Sequence, residues 1–253
     1  MRKKPVAICI PARLGATRLP NKPLADIAGK PMIQHVWERA CEAALGPVIV
    51  ATDSEMIAAP IEAAGGTAIL TDSALPSGSD RIHAALAQWD PNGTYQHIIN
   101  LQGDLPDLQA SALHVLADLL QTGRYQLTTL VAEASAEETA RPQIVKAAIA
   151  WHERALCGNA TGDALYFSRA AIPDGPAPKW HHIGLYGWTR DALSQFVSLP
   201  PSPLEQSEKL EQLRALEAGM AIGVGRLDSA PGGVDTEADL QAARARMQTG
   251  NQA

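Results

Sequence analysis

Three cations, Arg13, Arg18 and Lys22, stand in the loop that follows a short apolar run in "VAICIPARLGATRLPNKPL", residues 6–24. The loop has a single glycine, Gly15, so it is neither G-x-G-x-x-G nor G-x-x-x-x-G-K-[ST]. Guanidinium groups take phosphate oxygens two at a time, and an ammonium adds a compact charge. Three cations at the end of a strand therefore suit a polyphosphate, against the plain alternative of solvated surface charges. Pro20 and Pro23 bracket Lys22, and their fixed φ angles lower the entropic cost of holding it in place.

Two carboxylates could complement these cations. Asp104 ends the stretch "NLQGD", and Asp235 lies in "GVDTEADL". Mg²⁺ uses one or two carboxylates together with substrate phosphates and waters, so Asp104 calls for a second acid and Asp235 is the candidate. Each has a structural alternative: Asp104 as a turn former, Asp235 as a helix N-cap. Thr236 with Asp239 three residues on resembles a capping box, with Asp in place of Glu or Gln. That arrangement would cap the helix and leave Asp235 available.

"PSGSDRI", Pro76–Ile82, is a turn into a helix, capped on the plain reading by Ser79 or Asp80. On the functional reading, Gly78 allows close approach and the polar groups around it read a base edge. Arg169 in "FSRAAIP" has the planar fork that suits a carboxylate, or is an exposed Arg at a strand end. His181 and His182 lack a metal-ligand partner at helical spacing. Glu205 and Lys209 are placed for an i,i+4 pair on an amphipathic helix.

The elements that position these residues follow from the hydrophobic pattern. Val6–Ile10 reads as a strand buried on both faces, "VIVATD" (48–53) as a second buried strand, "TAIL" (67–70) as a third strand and "HIINLQGD" (97–104) as a strand running into a loop. Helices are expected from Pro31 to Ala44, with Ile33, Val36, Trp37, Ala40 and Cys41 on the apolar face, then up to Ala64, and over Asp80–Trp89. The alternation predicts a largely parallel sheet, with ligands beyond the carboxyl ends of its strands. After about Leu127 the runs "LTTLVAEA", "IVKAAIA", "ALYFS" and "HHIGLYGWT" predict an antiparallel, sheet-rich section at roughly 127–190. One helix is expected from Ser202 through "SPLEQSEKLEQLRALEAGM", then the strand "AIGVGRL" and a last helix over "VDTEADLQAARARM". No linker divides the chain, which reads as one domain over 1–253 carrying a subdomain.

Composition sets the outer bounds. The chain has 253 residues, 46% hydrophobic and 19% charged, which argues against a disordered chain. A net charge of −6 disfavours nucleic acid or an anionic membrane as partner. Cys9, Cys41 and Cys157 are widely spaced and read as buried thiols of a reducing compartment. The apolar run after Arg2–Lys4 is too short for a signal peptide, so a cytoplasmic location is expected.

Taken together, "IPARLGATRLPNKPL", "VATD", "SGSDRI", "NLQGDLP", "ALYFSRAAIP", "HHIGLYGW", "SPLEQSEKLEQLR" and "GVDTEADL" resemble, in order, the blocks of the CMP-Kdo synthetases, the 3-deoxy-manno-octulosonate cytidylyltransferases. The resemblance implies a Rossmann-like nucleotide-diphospho-sugar transferase fold, with a mostly parallel central sheet flanked by helices and an antiparallel dimerisation section. It implies that CMP passes from CTP to Kdo, with Mg²⁺ as cofactor, in a homodimeric enzyme of lipopolysaccharide biosynthesis. By the same resemblance, Arg13 and Lys22 grip the triphosphate, with the Ala12–Arg13 backbone near the nucleotide. Ser77, Gly78, Ser79 and Arg81 contribute with Gln102 to cytosine recognition. Asp104 and Asp235 hold the metal, and Arg169, His182, Tyr186, Glu211 and Gln212 surround Kdo. The chain departs from the common family pattern at Leu14, Asn21, Leu75 and Leu105, where Tyr, Gly, His and Glu are frequent. A CMP-sialic acid synthetase and a non-catalytic nucleotide sensor are the competing readings.

Overall fold

A computed structural model describes residues 3–15, 19–153, 155 and 158–250, with backbone alone for 248–250. Arg18 and Cys157 lie outside the described residues. Two compact units emerge, one of Pro5–Leu113 with Pro231–Ala253, the other of His114–Ala230 with Met1–Lys4.

The first unit is built on four parallel strands. β1 (Val6–Ala12) is buried along almost its whole length, as a strand covered on both faces must be. It extends through Pro11, one turn of the pleat beyond the expected break at that residue. After it come a 3₁₀ turn (Lys22–Leu24), the two-residue strands β2 (Asp26–Ile27) and β3 (Lys30–Pro31), and α1 (Met32–Glu42). Then follow β4 (Val48–Thr52), α2 (Glu55–Ala63), β5 (Thr67–Leu70), α3 (Gly78–Trp89) and β6 (His97–Asn100). The strand order is β5-β4-β1-β6. The chain therefore builds outward from β1 on one side through β4 and β5, then crosses back to lay β6 on the other side. That reversal makes the β1/β6 junction a topological switch point, where a crevice opens beyond the carboxyl ends of the strands.

Side-chain burial on α1 follows the helical period, with Ile33, Val36 and Ala40 fully buried. Cys41 falls one position past that stripe and is exposed, contrary to the expected buried thiol, whereas Cys9 in β1 is buried as expected. Ala44 lies beyond the helix end, at φ 50°. α4 (Ala110–Gln121), within which the boundary between the units falls, is a helix that the hydrophobic pattern did not announce. α9 (Glu237–Gly250) closes the first unit, with Leu240 and Ala243 packed together with Ile27, Met32 and Val234.

In the second unit, β7 (Leu127–Glu133), β8 (Lys146–Trp151), β9 (Thr161–Ser168), β10 (Trp180–Thr189) and β11 (Ile222–Arg226) form a mixed sheet in the order β10-β7-β11-β9-β8. All of these pairings are antiparallel except β11 with β7, in line with the expected antiparallel section. Helices α5 (Ala136–Ala140), α6 (Arg190–Ser198), α7 (Pro203–Glu208) and α8 (Gln212–Glu217) connect them. The single helix expected from Ser202 is thus two. Ser202 and Glu205 do form a capping box, but Lys209 takes the left-handed conformation at φ 57° and ends α7. Glu205 consequently pairs with Arg214 beyond the break, not with Lys209.

Candidate active site

A cleft of about 340 Å³ lies in the first unit, within the size range of small-ligand sites. Its walls come from the carboxyl ends of β1 and β6 and the start of α3, the switch point described above. Ala12 and Arg13 follow β1, and Lys22 comes from the 3₁₀ turn. Ser77, Gly78 and Arg81 line the α3 side, and Gln102, Asp104 and Asp235 the far side. Ser79 is buried and does not line the cleft.

The loop after β1 is shaped to present Lys22. Asn21 sits at φ 55°, in the left-handed region where Gly is easiest and Asn next. Asn21 thus suits a position at which the resemblance leads one to expect Gly. Pro23 is buried behind the turn. The ammonium that results lies 2.8 Å from Asp104 Oδ2 and 3.0 Å from Asp235 Oδ1. Burial works against its charged form, but the two carboxylates outweigh it and hold the Lys22 pKa above its ordinary value.

Local packing brings the two acids together. Gly103 lies so close to the Pro11 carbonyl that a Cβ there would meet its oxygen at 3.1 Å, which sets the turn carrying Asp104. The Val234 amide donates to the Asp104 carbonyl at 3.0 Å, which brings Asp235 alongside. Thr236 and Asp239 form the expected helix start: the Asp239 amide donates to Thr236 Oγ1 at 3.3 Å, and Asp239 Oδ2 accepts from the Thr236 amide at 2.8 Å. Asp239 also accepts from the Asp235 amide, so the Asp235 carboxylate is turned to Lys22 instead of capping the helix.

On the opposite wall Ser77, not Ser79 or Asp80, is the N-cap of α3. Its hydroxyl donates to Asp80 Oδ2 at 2.6 Å and accepts from the Asp80 amide. Gly78 packs against Pro11, with 3.2 Å between a built Cβ and the Pro11 ring. Arg81 is anchored from behind: it donates to Asp53 Oδ2 at 3.1 Å and to Thr71 Oγ1 at 2.7 Å. Thr71 carries no sequence signal of this role. Leu75 lines the cleft, while Leu105 is buried below it.

The residues expected around the sugar acid belong to the second unit. His182, Tyr186 and Gln212 form one hydrogen-bonded chain there. Tyr186 donates to Gln212 Oε1 at 3.2 Å, and Gln212 Nε2 lies 3.5 Å from His182 Nδ1. His182 Nε2 is 2.9 Å from Thr129 Oγ1, which is 2.8 Å from the Leu185 carbonyl. The threonine proton goes to that carbonyl, so His182 donates from Nε2 and accepts at Nδ1. The carbonyls of Ile183 and Leu185 are displaced by a register shift in β10, and Thr129 satisfies what the ladder releases. Burial, aided by the charge of His181, pushes the His182 imidazole down to about 3. Burial and the charge of Glu211 push the Tyr186 phenol up.

Arg169 is committed elsewhere. Its guanidinium donates to the backbone carbonyls of Glu208, Lys209 and Pro142, while Glu208 accepts from the Arg169 amide and from Ser168. Two of its five N–H donors thus hold the break between α7 and α8, at whose far side Glu211 occupies the N-cap position of α8, and a third reaches Pro142 in the loop after α5. Thr129 and Glu208, which position these residues, had not been singled out. A threonine inside an otherwise apolar strand is the signal that could have found the first.

Comparison with known proteins identifies the family. The cytidylyltransferase family matches residues 7–222. A 3-deoxy-manno-octulosonate cytidylyltransferase from Parvibaculum lavamentivorans is 52% identical over 95% of this chain and 92% of its own length. One from Rhodopseudomonas palustris is 50% identical over 96% and 98%. A solved CMP:2-keto-3-deoxy-manno-octonic acid synthetase complexed with CTP superposes with a TM-score of 0.87 at 39% identity, covering 96% of this chain and 98% of that one. A cytidylyltransferase from Leptospira borgpetersenii, at 16% identity and a TM-score of 0.63 over 97% and 87% of the two chains, shares the fold. The chain belongs to the cytidylyltransferase family, as one of its 3-deoxy-manno-octulosonate cytidylyltransferases, the CMP-Kdo synthetases.

Proposed function

We propose that this protein transfers CMP from CTP to the anomeric hydroxyl of Kdo, giving CMP-Kdo and pyrophosphate for lipopolysaccharide assembly. The observation that carries the reading is the gathering of Arg13, Lys22, Asp104 and Asp235 around one cleft at a strand switch point. The Kdo oxygen attacks the α-phosphorus in line, and the bond to the pyrophosphate oxygen breaks with its electron pair leaving on pyrophosphate. The hydroxyl proton passes to solvent. Such transfers depend chiefly on positioning and charge neutralisation.

Arg13 and Lys22 neutralise charge on the triphosphate and the departing pyrophosphate. Gly78 brings the α3 turn close to the base, and Ser77 and Arg81 frame that wall with Gln102 beside it, Ser79 lying buried behind. Asp104 and Asp235 fit a hard dication, because they already converge on one cationic nitrogen. Substrate phosphates and water would supply the remaining ligands. When bound, Mg²⁺ supplies charge neutralisation at the phosphate and lowers the pKa of the attacking hydroxyl.

In the second unit, Tyr186, Gln212 and Glu211 offer polar groups for the sugar hydroxyls, with His182 fixing their orientation as a neutral imidazole. Recruiting Arg169 to the sugar carboxylate means turning its remaining donors outward or exchanging a carbonyl. We assign the working form as a cytoplasmic homodimer joined through the antiparallel section. No helix among the described residues is long and apolar enough to cross a membrane. Pyrophosphate release by purified protein with CTP, Mg²⁺ and Kdo tests the proposal, and release with a sialic acid but not Kdo overturns it.

A further inference from the structure

We infer that Lys22 is the resident cation of the Asp104–Asp235 pair, filling it until a metal–nucleotide complex arrives and then turning to the phosphates. The inference rests on the reading of that pair as the metal site and adds to it an order of binding. Lys22 has two partners to serve, a carboxylate pair and a polyphosphate, and one ammonium with which to serve them.

In the structure the ammonium is on the carboxylates, at 2.8 Å and 3.0 Å, with only 16% of its side chain exposed. Two acids drawn to one point repel each other, and the ammonium between them offsets that repulsion and keeps the pair assembled. A dication entering the same place meets an ammonium already there, so Lys22 opposes metal binding for as long as it stays.

The polyphosphate reverses this balance. The cleft that holds the pair also carries Arg13 and the loop of Lys22. A lysine head on its flexible four-carbon stem can exchange carboxylate for phosphate oxygen while its backbone turn stays fixed. The turn is fixed, through the left-handed Asn21 and the buried Pro23. Nucleotide thus draws the ammonium off the acids and supplies further metal ligands, so dication and nucleotide strengthen each other's binding. By linkage the effect is reciprocal.

The test is a titration of the whole protein with Mn²⁺, read by loss of the free-ion paramagnetic resonance signal, with and without CTP. In the absence of nucleotide, Lys22→Met is expected to bind Mn²⁺ at least about tenfold tighter than wild type. Adding Asp104→Asn to Lys22→Met is expected to remove that gain. Lys22→Gln, which keeps a polar head on the turn, reads the same shift should Lys22→Met fail to fold. Equal or weaker Mn²⁺ binding by the Lys22 variants, with wild type still binding Mn²⁺ alongside CTP, overturns the resident-cation role and leaves the metal site standing. Absence of Mn²⁺ binding by wild type even with CTP overturns the metal reading, and this inference with it.

Discussion

Thr236 Oγ1 and Asp239 Oδ2 lie 2.8 Å apart at the start of α9, and this pair caps the helix in place of Asp235. A helix start needs its first amide groups satisfied, and Asp235, just before that start, is an acid of the type that caps helices. Because Asp239 takes the amides of both Asp235 and Thr236, the Asp235 carboxylate is left for Lys22. Asp239→Ala is expected to lower stability by about 1 kcal/mol, the ordinary cost of a lost cap. It should also reduce turnover, though less than Asp235→Ala does. Urea unfolding alongside pyrophosphate release separates the two effects.

Asp104→Ala and Asp235→Ala should each lower kcat by at least about 100-fold, the scale on which removal of one preorganised electrostatic group is felt. The fold should persist, because both side chains are partly exposed and neither fills the core. Circular dichroism and steady-state kinetics together check this. Near-normal turnover in either variant removes that residue from the site.

Gly103→Ala should raise the KM for CTP. The new methyl would stand 3.1 Å from the Pro11 carbonyl oxygen and 3.3 Å from the Ile33 side chain. The turn holding Gln102 and Asp104 must then shift by a few tenths of an ångström. Destabilisation of about 1–3 kcal/mol is expected, as for overpacking elsewhere. Kinetics and thermal melts of the variant measure both consequences.

Stability should fall on acidification through His182. Its folded pKa is pushed down to about 3 by burial, against about 6.5 in the unfolded chain. The unfolded state therefore binds the proton first. The stabilisation is complete above pH 6.5 and is lost as pH drops from there towards 3. Urea unfolding across this range should show a shallower loss for His182→Asn than for wild type. An unchanged slope contradicts the neutral, buried imidazole.

Removing the Thr129 hydroxyl should also be costly. Thr129→Val leaves His182 Nε2 and the Leu185 carbonyl without their shared partner, at about 1–3 kcal/mol for a buried polar group left unsatisfied. The KM for Kdo should rise with it, since Gln212 and Tyr186 hang on the same chain of hydrogen bonds. Chemical denaturation and a Kdo titration check the two outcomes.

Much of the first unit could be read directly, because buried parallel strands appear as unbroken apolar runs and their polar carboxyl ends mark the cleft. Asp235 was legible for a local reason, the Thr236–Asp239 pair. α4 was not, since Leu113, Val115, Leu116, Leu119 and Leu120 are all buried and wrap round the helix instead of forming a stripe. The break at Lys209 carries neither Gly nor Pro. It depends on tertiary bonds, chiefly Arg169 to the carbonyls of Glu208 and Lys209. Lys22 was legible as a phosphate cation, but its place between the two acids follows from the 82- and 213-residue separations that folding closes, beyond the reach of local pattern.

The most direct measurement is pyrophosphate release by the purified protein over the four nucleoside triphosphates and a panel of sugar acids, with Mg²⁺ present. Release with CTP and Kdo together, with one CMP-Kdo formed per pyrophosphate, is the predicted result. No release from CTP and Kdo, or release only with a sialic acid or another nucleotide, contradicts it.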